Sequence, residues 1–373
     1  MNILINAYTL TTGGGKRILM DFIYNIENIN INIDINIKFY FYVPNILDYS
    51  DIKNPNMYFF ELPKLFKKKI MQPFVKYYFN YNIKKYNIDK IFSMGNIALQ
   101  TIKPQLLLLH WAYAVYPEKD IWEKMDFKSF INRKLRLYLF KTNLKYATCV
   151  VLQTKNIEKR LKLLYKVNNT IVIPNSVDHH YDLNDDSYTY SFPEGKKLLY
   201  LTHFYTHKNL EILIPLAKII KKESYDYKII ITIEENQHYL AKKFLKDIRT
   251  YQLESIICNI GPVTFSAISS LYKQCDALIM PTLLESFGLT YIEAMYFNLP
   301  ILTSDRDFAH DVCKDSAYYF DPLDELSILN AIDNLFLNKN LMKEKLKVYP
   351  SILKSFGTNK DVAKKYIDVM IKL

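Results

Sequence analysis

Two glutamates with seven residues between them, Glu285 and Glu293, enclose the turn Ser286-Phe287-Gly288 and the start of an apolar-periodic segment. A helix that begins at about Leu289 leaves the amides of Phe287, Gly288 and Leu289 free to meet an anion, and glycine at 288 lets a diphosphate or sugar approach the backbone closely. Glu293 falls one turn after Leu289 and one turn before Phe297, so apolar neighbours flank it. Unpaired burial of a carboxylate is costly, so Glu293 needs donors, which ribose hydroxyls would supply. From spacing alone, two readings stand together. Either the carboxylates bracket one ligand, Glu285 toward its sugar end and Glu293 toward its nucleoside end, or the segment is a capped helix start with Glu293 in a salt bridge.

A second constellation is His207-Lys208-Asn209, which follows the strand-like Leu198 to Leu201. Lysine at the start of a helix faces an unfavourable dipole unless an anion is bound there, so Lys208 is either a phosphate ligand or an exposed surface cation. A third is Thr11-Thr12-Gly13-Gly14-Gly15-Lys16-Arg17 after the first strand. It has neither the dinucleotide fingerprint nor the P-loop spacing and reads as a flexible turn. His110 ends the run Leu106 to Leu109, a position at which a lone histidine is either structural or a ligand. Asn184-Asp185-Asp186 lacks calcium-loop spacing, Asp305 and Asp307 lack a paired metal motif, and the four cysteines, Cys149, Cys258, Cys275 and Cys313, lack CxxC spacing. No metal site is expected, and the cysteines read as core thiols.

The elements that must hold these residues repeat a strand-then-helix rhythm. The 373-residue length favours two domains, and short apolar runs alternating with amphipathic ones favour an α/β class. In the first half, strands are expected near Ile3–Ala7, Lys38–Val43, Tyr58–Leu62, Lys90–Ser93, Leu106–His110 and Cys149–Leu152. Helices are expected near Gly15–Ile26, Met71–Lys85 and Phe127–Tyr146. After the proline of Ile173-Pro174-Asn175 the rhythm restarts, with strands near Leu198–Leu201, Tyr227–Ile233, Ile256–Ile260, Ala277–Met280 and Ile301–Thr303. Helices there are expected near Asn209–Lys222, Tyr239–Thr250, Ala267–Cys275 and Leu289–Asn298, with Leu289, Ile292, Tyr296 and Leu299 facing the core. The scheme is two doubly wound, Rossmann-like domains, 1–173 and 174–358, facing a central cleft, and a last helix, 359–373, that crosses back to the first. Ligands in such sheets sit beyond the carboxyl ends of the strands, where all three constellations lie.

Charge is unevenly placed. Residues 1–172 carry 26 Lys and Arg against 12 Asp and Glu, whereas the remainder carries 23 against 26. Clusters at Lys67-Lys68-Lys69, Lys84-Lys85 and Arg133-Lys134-Arg136 suit anionic headgroups, a polyphosphate-linked acceptor or nucleic acid, or are solvated helix faces. No apolar run reaches the roughly 18 residues of a spanning helix, and the amino terminus lacks a signal-peptide pattern, so the expected location is cytoplasmic. The Asn/Ile-rich segment Asn28 to Lys38 carries no site.

The segment Pro281 to Pro300 resembles the donor-site signature of retaining glycosyltransferases of family four, which adopt the GT-B fold. Ile173-Pro174-Asn175-Ser176-Val177-Asp178 is similar to that family's interdomain stretch, with Ser176 where glycine is usual. Leu271-Tyr272-Lys273-Gln274-Cys275-Asp276 is similar to its helix-to-strand junction, with Cys275 in place of alanine. The resemblance implies that Glu285 contacts the donor sugar, Glu293 the ribose, and Ser286 with the Phe287-to-Leu289 backbone the diphosphate or sugar. It implies that Gly13, Gly14 and Gly15 lie under the donor phosphates, and that His110 is near the reacting sugar. Lys208 would share the diphosphate with an arginine five residues earlier, but that position is His203. Neutral histidine offers one donor and no permanent charge, so either His203 binds in that reduced way or Lys16 or Arg17 substitutes.

The resulting expectation is a metal-independent, retaining hexosyltransferase without a cofactor, with Glu285, Lys208 and His110 as its catalytic residues. It would use a nucleoside diphosphate sugar and a glycan or lipid-linked acceptor in polysaccharide or glycolipid assembly, without nucleic acid. Peripheral contact with an anionic inner-membrane face fits the charge. The rivals are a nucleotide-sugar epimerase or phosphorylase of the same architecture, and a non-catalytic sugar-nucleotide or polyanion-binding protein.

Overall fold

The computed structural model describes residues 1–11, 13–28, 36–67, 71, 74–176 and 188–373. Thr12, most of the Asn/Ile-rich segment, Lys68 and Lys69, Val177-Asp178 and Asn184 to Asp186 lie outside the described residues. The chain divides into two compact units. The first comprises residues 1–117, 127–175 and 358–373, and the second comprises 118–126 and 176–357.

In the first unit, β1 (Asn2–Asn6), β2 (Lys38–Val43), β3 (Met57–Glu61), β4 (Lys90–Ser93), β5 (Gln105–Leu108), β6 (Cys149–Leu152) and β7 (Thr170–Val172) form a sheet ordered β3-β2-β1-β4-β5-β6-β7. Every pairing is parallel. A parallel sheet is covered on both faces, which is why these strands read as unbroken apolar runs. Side-chain alternation along β1 sorts them. Ile3 and Ile5 join the core of the helix Gly13–Asn28 and the last helix, Asn359–Lys372, while Leu4 joins Val75, Phe79 and Ile83 of the helix Val75–Lys85.

In the second unit, β8 (Lys196–Tyr200), β9 (Tyr227–Ile231), β10 (Ile257–Asn259), β11 (Ala277–Met280), β12 (Ile301–Ser304) and β13 (Tyr318–Phe320) are ordered β10-β9-β8-β11-β12-β13, again all parallel. Both sheets are Rossmann-like, and each reverses its strand order once: between β1 and β4 in the first, between β8 and β11 in the second. Residues 118–126 are fastened to the second unit by charge. Lys124 binds Glu211 at 2.6 Å and also the Asn209 side chain, Arg306 pairs with Asp120, and His238 lies 3.4 Å from Asp126.

The last helix is part of the first unit's core. Its amino end carries a reciprocal capping box, with Thr358 accepting from the Asp361 amide and Asp361 accepting from that of Thr358. Val362, Ala363, Tyr366, Ile367 and Met370 are buried, and the Tyr366 ring meets Phe22 at 5.8 Å and Phe92 at 5.1 Å. Tyr366→Ala is expected to cost about 3–5 kcal/mol through the cavity it opens. Because the Tyr366 hydroxyl is buried without a hydrogen-bond partner among the described residues, Tyr366→Phe should leave stability unchanged or raise it. Urea unfolding of the two variants checks this; equal losses would contradict it.

Candidate active site

The loops after β8 and β11 flank the strand-order reversal of the second sheet, where doubly wound sheets bind ligands. Two backbone contacts join them: the Leu283 amide donates to the His207 carbonyl at 2.8 Å, and the Thr282 hydroxyl to the same oxygen at 3.2 Å. Asn209 completes the junction. It is fully buried in the left-handed region at φ +57° and donates to the Pro281 carbonyl at 3.1 Å and the Pro322 carbonyl at 2.7 Å. Asparagine tolerates this backbone conformation, and its amide here has both hydrogens and its oxygen engaged. Below the loop, the buried Tyr200 hydroxyl donates to the Lys208 carbonyl at 2.6 Å.

This framework sets Lys208 and Glu285 in a direct ion pair, each side chain only 14% and 13% exposed. A sequestered pair of this kind gives little net stability, because desolvation offsets much of the attraction. It does hold a cation and a carboxylate ready at one point. Beyond Glu285, Gly288 lies at φ +77°, and a Cβ there would stand 2.6 Å from the Tyr291 ring, so only glycine fits. The helix Leu289–Tyr296 follows, and no described group accepts from the backbone amides of Phe287, Gly288 or Leu289. Ser286 is half-buried. Phe287 packs its ring on Phe356 at 5.3 Å inside the unit and offers a ligand only backbone.

On that helix the buried residues are Tyr291, Ile292, Ala294 and Met295, while Leu289 and Tyr296 are half-buried. This corrects the expectation that Leu289 and Tyr296 face the core: Tyr291, hydrogen-bonded to Thr303 at 2.7 Å, takes the inward position instead. Glu293 is half-buried and accepts from the Tyr272 hydroxyl at 3.0 Å; the Tyr272 ring in turn stacks on Phe297 at 4.9 Å. Tyr272, far away in sequence, is a positioning residue that spacing did not reveal.

His203 is exposed and is not joined by any contact to Lys208 or Glu285. The Phe204 amide donates to Gln237 Oε1 at 2.8 Å, which turns the Gln237 Nε2 toward His203 Nδ1 at 3.0 Å. Nδ1 must then accept, so the neutral ring carries its proton on Nε2. Gln237 was not marked by any sequence motif. Lys16 and Arg17 are already paired, with Asp48 at 2.7 Å and Asp21 at 2.9 Å.

In the first unit, Gly13 to Gly15 form the first turn of their helix, and Gly15 leaves room for His110: a Cβ would lie 3.1 Å from His110 Cε1. The His110 Nε2 lies between two groups, 2.9 Å from the Met94 carbonyl and 3.0 Å from the Asn96 side-chain amide nitrogen. The His110 amide donates to Asn96 Oδ1 at 2.7 Å. Burial pushes the His110 pKa down to about 4; the Met94 hydrogen bond opposes this and the positive charge of Arg136 adds to it. Among the described residues, no three His, Cys, Asp or Glu side chains are grouped to hold a metal ion, and no helix is long and apolar enough to cross a membrane.

Two Rossmann-like α/β units, each built on an all-parallel sheet, give the chain the GT-B fold. Residues 189–357, just under half of the chain, match the family described as glycosyl transferases group 1. The chain is 23% identical over 297 residues to the O-antigen chain mannosyltransferase RfbU of Salmonella typhimurium, covering 78% of this chain and 77% of that protein. Its fold is similar to that of sucrose-phosphate synthase from Thermosynechococcus elongatus, with a TM-score of 0.76, 16% identity and 100% and 98% of the two chains covered. It is also similar to WaaG, a glycosyltransferase involved in lipopolysaccharide biosynthesis, with a TM-score of 0.72, 11% identity and 99% of each chain covered.

His110 generates a pH prediction. Its folded pKa lies below the ordinary 6.5, so the unfolded chain binds the extra proton first on acidification. Stability from this group is full above about pH 6.5 and falls as pH drops toward 4, by up to about 3 kcal/mol. Urea unfolding at pH 7 and 4.5 should show a shallower pH dependence for His110→Asn than for the parent. Identical slopes would refute the assignment.

Proposed function

We propose that the chain transfers a hexose from a nucleoside diphosphate sugar to an acceptor hydroxyl, with retention at the anomeric carbon, in polysaccharide or glycolipid assembly. The observation that carries this reading is the sequestered Lys208–Glu285 pair at the reversal point of the second sheet. On donor binding, Lys208 would exchange its carboxylate partner for the diphosphate, and Glu285 would turn to the sugar hydroxyls. The unpartnered amides of Phe287 to Leu289 and the positive end of their helix add to the charge on the leaving group, so the departing diphosphate is stabilised without a metal ion. Glu293, oriented by Tyr272, would accept from the ribose hydroxyls. The His203 Nε2–H is a single neutral donor for a phosphate oxygen, and Gly13 to Gly15 would face the donor phosphates. His110, neutral at physiological pH, would stand near the reacting sugar.

Retention rests on the resemblance of the Glu285-to-Glu293 segment to the retaining enzymes. Hexose as the transferred group, and polysaccharide or glycolipid as the process, draw support from RfbU and WaaG. Radiolabelled nucleotide sugars with lipid-linked and glycan acceptors test the activity. Glu285→Ala should abolish transfer, and Lys208→Ala should lower kcat by roughly 10²–10³. Full activity of Glu285→Ala would remove the assigned site, and donor binding without any turnover would remove the reaction.

Peripheral membrane contact by the first unit is supported by the helix Phe127–Asn143. At 100° per residue, Phe127, Ile131, Leu135, Tyr138 and Leu139 share one outer face and are 82%, 48%, 56%, 63% and 40% exposed, with Lys128, Lys134 and Lys141 within or beside it. Apolar side chains bordered by lysines fit an anionic headgroup layer. Sedimentation with phosphatidylglycerol vesicles should be strong at low salt and fall when Lys128 and Lys134 are both changed to Glu; binding indifferent to both salt and charge reversal would contradict this.

A further inference from the structure

The inner face of the same helix holds cations that no carboxylate among the described residues balances. Arg136 lies over the Trp111 ring at 4.6 Å and Arg133 over the Tyr113 ring at 4.3 Å. Neither forms an ion pair with any described residue, and the Arg133 Nε is buried with no hydrogen-bond partner. Arg136 is pushed downward by burial and then by the charge of Arg133, with no acid to offset either, although a guanidinium stays charged at neutral pH. Two neighbouring cations that repel each other in a partly desolvated place cost stability, and a fold tolerates that where an anion is to be bound.

Two further polar side chains of the first unit lack partners among the described residues. Trp111 Nε1 is buried without a partner. So is the whole amide of Gln153, a side chain only 1% exposed that stands one residue beyond β6, beside the strand that leads into His110. The platform beneath is rigid: residues 111–116 are all buried, and the Tyr165 hydroxyl donates to the Ala114 carbonyl at 2.6 Å. An indole N–H, a guanidinium N–H and an amide NH₂, all unused in the first unit, are the donor set of a phosphate site.

We propose that Arg133, Arg136, Trp111 and Gln153 bind a phosphate or diphosphate group carried by the acceptor, so that the acceptor is an anionic, phosphate-bearing molecule. The proposal rests on the transfer reading above for the word acceptor, but the anion site stands on its own geometry. Lipid-linked glycan carriers and membrane headgroups share this chemistry, as does the donor's own diphosphate. The test must separate the three.

The full-length protein, saturated with the nucleoside diphosphate it binds best, is titrated with inorganic pyrophosphate by calorimetry, while Trp111 fluorescence is followed in a Trp122→Phe background. Pyrophosphate should bind and change the Trp111 signal. Arg136→Gln, Arg133→Gln and Gln153→Leu should each weaken binding several-fold, at least tenfold for Arg136→Gln, and leave donor affinity unchanged. Arg136→Lys, which keeps the charge and the aliphatic stem, should stay within a few-fold of the parent and so controls for misfolding. Absence of pyrophosphate binding, or affinity equal in parent and Arg136→Gln, overturns the proposal. An equal loss of donor affinity overturns it in favour of the donor's diphosphate, and binding to phosphatidylglycerol vesicles without pyrophosphate binding overturns it in favour of a membrane contact. Slow donor hydrolysis in the absence of acceptor reports on the transfer reading separately. Hydrolysis that persists without pyrophosphate binding removes only the present inference, whereas pyrophosphate binding without turnover of any donor removes only the transfer reading.

Discussion

The candidate site in the second unit depends on one buried side chain. Asn209 supplies the left-handed turn that ends the short helix carrying Lys208, and its amide joins two carbonyls from different loops, those of Pro281 and Pro322, while its oxygen accepts from Lys124. Aspartate would present no donor to the two carbonyls, and glycine would allow the turn but not the bonds. Because the loops after β8 and β11 share this fixed point, Lys208 and Glu285 meet without either needing a helix interior or a strand to hold it. The same residue couples the segment 118–126 to the site through Lys124.

Charge is handled in opposite ways in the two units. In the second, the cation at the site has a carboxylate beside it, and the amides at the helix start form the part left open. In the first, Lys16 and Arg17 are balanced by Asp48 and Asp21, but Arg133 and Arg136 are stacked on aromatic rings and balanced by nothing among the described residues. A ring face accommodates a guanidinium while leaving its edge donors unspent. The helix Phe127–Asn143 thereby has two unlike faces, arginines turned inward over Trp111 and Tyr113 and apolar side chains turned out.

Much of the architecture was legible because parallel strands buried on both faces leave an unmistakable apolar run. Lys38–Val43, Lys90–Ser93, Cys149–Leu152 and Ala277–Met280 have the expected bounds, as does the helix Tyr239–Thr250. The strand Tyr318–Phe320, only three residues at the sheet edge, is too short to show a period, and the helix Lys155–Tyr165 was also not anticipated. The grouping of residues 118–126 with the second unit left no local trace, since it is made by ion pairs such as Arg306–Asp120 between distant positions. In the candidate site, glutamates and glycine were visible through spacing, whereas Tyr272, Gln237 and Asn209 act through hydrogen bonds that only tertiary structure creates. The stacking of Arg136 on Trp111 was equally invisible, although the basic cluster was not.

The last helix has a consequence for how the protein is made. The second unit is, apart from residues 118–126, an insertion between Asn175 and Thr358 of the first. When a ribosome has released residues 1–175, all seven strands of the first sheet are present, yet Phe22 and Phe92 still lack the ring that covers them. That ring arrives some 190 residues later, about 10–40 s at ordinary elongation rates. During this interval the apolar surface that Val362, Tyr366 and Met370 later cover stays open beside the helix Gly13–Asn28, while the second unit can close its own core first. The order of emergence from the ribosome and the order of completion are therefore reversed.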